Sequence, residues 1–469
     1  MKSRNLVFAL AVIVVVSAVF AIDLFKKPIV IDEKPLETEV TVYNQNFGVV
    51  KEYRAKYLHE GLNSVLYEGV AANIDPTSVK LRAVDGIVNV YEQNYQYDLL
   101  SKDKILKKYL DKNITAYQIY GDKKELVEGI LLSSSGNQFI IRDRDGRIQI
   151  LSSDSLVLPE LPEGLITKPT LEWLIESGES KNQTLELSYM TSGLGWRSDY
   201  VAVVNSDDSA LDLNGWVTVT NNAGTTFYDT SLKLVAGDVR RVSQAPTPSR
   251  DEYMYLESAS GMKAPQFTEE SLFEYHLYDL QRKTTLRDRE QKQISLLEAG
   301  SVDVEKEFVY ENAYWTTSNT KVNVKLNFNN TKANNMGMPL PKGIVRVFKK
   351  DSEGKLQFIG EDNIDHTPKD ETIRLYLGDA FDVLGERKQL NFKDLGGYYE
   401  YEWEVELRNH KDEDITVTVL ESTGGDWEIT KETHQHIKES NRKIKWRVPV
   451  KANGETKLTY TIRYKKWWQ

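Results

Sequence analysis

Three carboxylates and an imidazole fall within six residues at Glu361, Asp362, Asp365 and His366. Such a set could bind a divalent cation through its oxygens, or share a proton in acid–base chemistry on a carbohydrate or peptide. Pro368 follows, which makes the segment a loop or a strand end. The structural alternative is a polar turn whose acids cap backbone N–H groups and pair with Lys369 or Arg374. His434 and His436 form a second constellation. On a strand both imidazoles would face one side and could suit zinc or copper, with His410 as a third ligand only if the fold brings it close. Trp196, beside Gly193 and Gly195, could offer an aromatic face to a sugar, with Tyr200 helping. The simpler account is a buried Trp whose glycines admit a neighbouring backbone. Asp143-Arg-Asp-Gly146 resembles the start of a calcium loop, but Asp154 stands where the pattern needs Glu. Strand-like flanks make it a hairpin with an Asp-Gly turn. His59 and His276 stand alone and read as structural, and Trp467 and Trp468 read as packing residues.

Several chemistries are missing. The chain has no Gly-x-Ser-x-Gly, no phosphate loop and no His-Glu-x-x-His. Cys is zero, which removes disulfides, thiolate zinc sites and Cys nucleophiles together. No cofactor is predicted, and a divalent cation, at the acidic cluster or at His434 and His436, is the one candidate.

The elements that must position these residues are strands. Val322, Val324, Leu326 and Phe328 alternate with polar residues. Tyr401 to Leu407, Ile444 to Val448 and Leu458 to Tyr464 do the same. Period-two patterning of this kind makes half-buried antiparallel strands. Turn signals at Asn46-Phe-Gly48, Asp145-Gly146, Ser352-Glu-Gly354 and Asn453-Gly454 separate them. One short helix is predicted near 101–112, with Ser101 as its cap and Ile105, Leu106, Tyr109 and Leu110 on one face. The fold class is therefore mainly β, built from antiparallel β-sandwich or barrel modules. The expected divisions are a β unit at 36–97, a small barrel-like module at 98–160, a β-rich region at 170–400 interrupted by a linker or loop at 243–271, and a sandwich at 401–469.

The 469 residues leave room for about three domains. A net charge of −10 argues against nucleic acid as a partner. Lys2 and Arg4 precede an apolar run from Leu6 to Ile22, the pattern of an export signal. Residues 1–22 are either cut after Ala21 or retained as a signal-anchor that tethers the chain to the membrane. Either way the body is expected outside the cytoplasm. Asn113, Asn182 and Asn329 begin glycosylation sequons, which matter only if the host glycosylates Asn.

Beyond Pro169 the chain resembles the exported family catalogued as domain of unknown function 4139. The matching segments include Leu187-Ser-Tyr-Met-Thr-Ser-Gly-Leu-Gly-Trp196, Gly215-Trp-Val-Thr-Val-Thr-Asn221, Pro339-Leu-Pro-Lys-Gly343 and Gly360-Glu-Asp-Asn-Ile-Asp-His-Thr-Pro368. The family name implies no activity. The expectation is a non-enzymatic interaction protein of the cell envelope, with other envelope proteins or glycans as partners. A hydrolase using the 361–366 cluster and a metal-binding surface protein are the alternatives.

Overall fold

Side chains that alternate in character along the chain can satisfy both burial and backbone hydrogen bonding only by pairing as strands. The computed structural model describes residues 29–31, 34–120, 123–136, 138–152, 156–160, 162, 165–241, 266–312 and 320–466. The 1–22 signal or anchor, most of the 243–271 linker, and Trp467 and Trp468 lie outside these residues. Strand accounts for 70% of the structure and helix for 3%, which establishes the mainly-β class. The described residues form five sheets.

A four-stranded sheet runs in the order Ile29–Ile31, Gly61–Glu68, Thr170–Ser177, Val88–Gln96. It shares one core with a larger sheet ordered Phe267–Leu272, Tyr275–Leu280, Phe227–Ala236, Glu37–Tyr43, Phe47–Leu58, Lys181–Ser192, Ile74–Ala83. Tyr67 and Trp173 from the first face Val50, Leu187 and Leu234 from the second within that core. A third sheet follows the order Glu290–Asp303, Ala210–Asn221, Leu194–Val204, Gly343–Lys350, Leu356–Ile364.

The C-terminal sheet has nine strands. Its order is Trp427–Glu432, Gly454–Lys465, Tyr398–Asn409, Thr372–Asp394, Lys321–Asn329, Glu305–Asn312, Ile415–Ser422, Lys443–Val450, His436–Ser440. The sheet curls so that its two halves bury one core, with Val405 and Leu458 from one half and Val417 and Val448 from the other. The Trp446 and Tyr460 rings stack across this interior at 4.6 Å. Glu432, on one edge strand, accepts a hydrogen bond from the Trp446 indole near the other edge at 2.9 Å.

These sheets redraw the divisions expected from sequence. The 36–97 strands are not a separate unit: Glu37–Tyr43 pairs in parallel with Phe227–Ala236, and Phe47–Leu58 pairs with Lys181–Ser192. The 98–160 region is an open five-stranded sheet, not a barrel, because its edge strands Ile148–Ser152 and Leu156–Val157 do not pair with each other. The C-terminal strands likewise do not stand alone at 401–469, since three strands from before residue 400 lie in the middle of their sheet. The single helix is present at Lys102–Lys108, and the Ser101 side chain accepts the Lys104 N–H as its cap. Leu106 and Tyr109 are buried, whereas Leu110 lies past the helix end and is exposed.

Candidate functional site

The acidic cluster sits at the end of the edge strand Leu356–Ile364. Glu361 pairs with Arg346 on the adjacent strand at 3.3 Å. Asp362 accepts the N–H of Asn363 and the N–H of Tyr376, each at 2.8 Å, and so ties this edge to the Thr372–Asp394 strand. Asp365 is exposed, and its main-chain carbonyl accepts from the Thr367 hydroxyl at 2.7 Å. His366 Nδ1 accepts the Lys342 N–H at 3.3 Å. Burial, and then the Lys342 ammonium, push this imidazole below its ordinary value, which favours the neutral acceptor form. Asp362 and His366 hold backbone N–H groups and Glu361 holds Arg346, which takes the role that Lys369 and Arg374 were expected to play.

The C-terminal end of the cluster runs beside the Pro339–Gly343 segment, where Ile364 pairs with Gly343 and Thr367 with Leu340. Tyr278 donates to the Pro339 carbonyl at 3.0 Å and Tyr200 to the Pro341 carbonyl at 2.8 Å. Ser198 donates to the Lys342 carbonyl at 2.8 Å. Burial drives both tyrosine hydroxyls far above their ordinary value, so they remain donors. Tyr200 is therefore a structural strut. Trp196 is buried as well, donates to the Val235 carbonyl at 3.2 Å, and packs edge-on against Tyr278. Neither ring presents a face to a sugar, which corrects that expectation. Both residues lie on the inward side of the Leu194–Val204 alternation.

His434 and His436 do not share a strand. His434 lies in the bend after Trp427–Glu432, and His436 begins the next strand. His434 Nδ1 meets the Thr433 hydroxyl at 3.1 Å, and His436 Nδ1 meets Glu432 at 3.0 Å. Among the described residues, no three side chains of His, Asp or Glu are gathered as a metal site. His276, expected to stand alone, pairs with Glu269 at 2.7 Å. Asp143 closes a hairpin turn as expected, accepting the N–H groups of Asp145 and Arg147 and the amide of Gln149 at 2.8 to 3.0 Å. The same device recurs where Asp351 accepts from Glu353, Lys355 and Gln357 at 2.9 Å.

An open cleft lies elsewhere. A cleft of about 1000 Å³ crosses the outer face of the C-terminal sheet. Its lining brings Asp303, Glu305, Glu307, Glu311 and Glu439 together with Lys325, Arg374, Lys443, Lys445 and Arg447. The ten charges are interleaved. Arg447 meets Glu305 at 3.1 Å, Lys445 meets Glu439 at 3.3 Å, and Glu311 lies between Lys325 and Lys443 at 3.9 and 3.7 Å. Glu307 accepts from Thr418 at 2.7 Å and from Asn327 at 3.0 Å. Six strands supply these side chains. Reading along the chain could not assemble them, because each is one outward residue of an ordinary alternation.

A family model for a domain of unknown function (DUF4139) matches residues 185–466, well over half of the chain. The chain belongs to the DUF4139 family. No curated protein matches it. The DUF4139 match begins at Leu185, inside the Lys181–Ser192 strand, whose partners Phe47–Leu58 and Ile74–Ala83 precede it. The cleft lies entirely within the DUF4139 span, as do the Pro339–Gly343 strap and the 361–366 cluster.

Proposed function

We propose that this DUF4139 protein is an extracytoplasmic interaction module that holds a partner protein of the envelope in the cleft of its C-terminal sheet, without catalysis. The cleft carries the reading: ten charges of both signs stand on six paired strands around about 1000 Å³ of open space. Exposed ion pairs contribute little to folding, typically about 0–1 kcal/mol each, so stability alone gives weak reason for such a collection. Strand-borne side chains are held in register, which suits recognition of a partner with complementary charges. The lining offers no exposed ring on which a sugar could stack, since its one aromatic, Phe328, is buried. That favours a polypeptide over a glycan. Glu361 is committed to Arg346, Asp362 to backbone N–H groups and His366 Nδ1 to the Lys342 N–H, which argues against the hydrolase alternative.

The test is charge reversal. Lys445→Glu with Arg447→Glu should leave the unfolding midpoint of the full chain close to wild type while abolishing co-purification of its partner from cross-linked envelope fractions. Equal recovery of the same partner with both versions, or no reproducible partner with either, would refute the reading.

A further inference from the structure

The Thr372–Asp394 and Tyr398–Asn409 strands form a hairpin that outruns its neighbour. On the Lys321–Asn329 side the described pairing ends at Leu384, while the pairing of the two hairpin strands continues to Asp394 and Tyr399. The outrun carries apolar side chains that nothing described covers: Leu390 is 50% exposed, Phe392 46% and Leu395 47%. Phe392, opposite Tyr401, continues the inward face of the sheet, while Leu390 is the residue that the register shift leaves unpaired and Leu395 begins the turn. Trp403 is buried, Tyr401 stacks on it at 6.4 Å, Phe392 lies 5.0 Å from Tyr401, and Tyr399 lies 5.8 Å from Phe392. The opposite face is a ladder of ion pairs, with Arg463 between Glu400 and Glu428 at 3.0 Å each and Lys393 at 3.5 Å from Glu400. The exposed leucines and rings are gathered at the tip, where Asp394, opposite Tyr399, pairs with Lys466 at 2.5 Å.

Two observations decide what such a tip meets. The first is charge. Lys388, Lys393, Lys465 and Lys466 stand there against the acids that three of them pair with, Glu386, Glu400 and Asp394, an excess of one positive charge on a chain whose net charge is −10. Lys466 also lies over the Tyr399 ring at 4.3 Å. Aromatic rings beside lysines suit the boundary between acyl chains and anionic headgroups. The second is the open edge. A register shift between Gln389 and Asn391, together with Lys388 and Lys393, interrupts it. Bulges and edge lysines block the addition of a further strand, so the edge is built against pairing with a second copy.

We propose that this hairpin tip docks on a lipid surface, with Leu390, Phe392, Leu395 and Tyr399 entering the interfacial layer and the lysines meeting anionic headgroups. The chain has no cysteine, so one engineered thiol reports one position. In the full chain, Leu395→Cys carrying an environment-sensitive fluorophore is mixed with phosphatidylcholine vesicles, with and without phosphatidylglycerol, that contain a brominated lipid. Most of the fluorescence should be quenched, more so with phosphatidylglycerol. The same probe at Ser352→Cys, on an exposed turn between two other strands, should stay bright. Adding Phe392→Ser and Tyr399→Ser to the Leu395→Cys chain should remove most of the quenching with the circular dichroism unchanged. An unquenched probe at 395 overturns the proposal, as does equal quenching at 352. A probe shielded without vesicles, at twice the monomer mass, overturns it in favour of a second copy.

Discussion

Glu52 and Arg54 stand two residues apart on one strand, whereas Glu421 and Arg387 stand on strands with two others between them. Both pairs are buried in the interior of a sheet assembly. Their surroundings differ. Glu52 accepts from Arg54 at 2.7 Å and from Tyr67 at 2.8 Å, and Arg54 also donates to the carbonyls of Ile31 and Glu68 at 3.2 Å. Its guanidinium lies over the Tyr67 ring. Arg387 instead crosses the interior of the curled sheet to meet Glu421 at 3.0 Å, rests 3.5 Å above the Trp403 ring and donates to Tyr460 at 3.4 Å. Gly385 makes room for this arrangement, because a Cβ there would strike the Tyr310 ring. Burial pushes the Glu421 carboxyl up to about 7, and Arg387 only partly offsets it. The same two residue types thus form a locally wired pair in one region and, in the other, a pair whose charge is costly to keep.

The largest effect should come from stranding one partner. Arg387→Met leaves Glu421 buried beside an apolar side chain and should cost about 3–5 kcal/mol in urea unfolding. Arg387→Met with Glu421→Leu should recover most of that loss, since an apolar pair removes both desolvation penalties. Failure of the double variant to recover would mean the pair is indispensable to the curl. Next comes pH. A carboxyl whose folded value of about 7 exceeds its unfolded value of about 4.3 binds its proton more tightly when folded. Stability from this group is therefore full below about pH 4 and falls as pH rises through about 7. Glu421→Gln should flatten the change in unfolding midpoint between those limits. Tyr67→Phe removes one donor from Glu52 and should cost about 1–2 kcal/mol. The smallest effect belongs to Asp351→Ala. Hydrogen bonds from Gln357 and from the turn backbone hold this exposed carboxyl below its ordinary range. Its contribution is present above the unfolded carboxylate value and fades as pH falls below it, which a small drop in melting temperature at neutral pH, absent in acid, would register.

Much of this was legible in the alternation. The inward slots of Ile415–Ser422 read Ile415, Val417, Val419 and then Glu421, and those of Thr372–Asp394 read Val383, Gly385 and then Arg387. A charge in an inward slot marks a buried pair, but its partner could not be named, because residues 387 and 421 meet only through the curl of the sheet. Trp196 and Tyr200 fill inward slots of Leu194–Val204 in the same way, although the sequence also offered them as a sugar platform. Strand partners were not legible. Glu37–Tyr43 finds Phe227–Ala236 across nearly two hundred residues, and nothing local encodes that choice. The cleft was hidden for the same reason, drawing outward residues from Asp303 to Arg447 into one surface.

The role given to that surface is tested most directly by a photoactivatable cross-linking residue in place of Arg374, on the cleft wall opposite Asn327, activated on intact cells. One discrete adduct, recovered in every preparation and lost when Lys445 and Arg447 are reversed to Glu, is the predicted result. A smear of adducts unaffected by the reversal, or none at all, would contradict it.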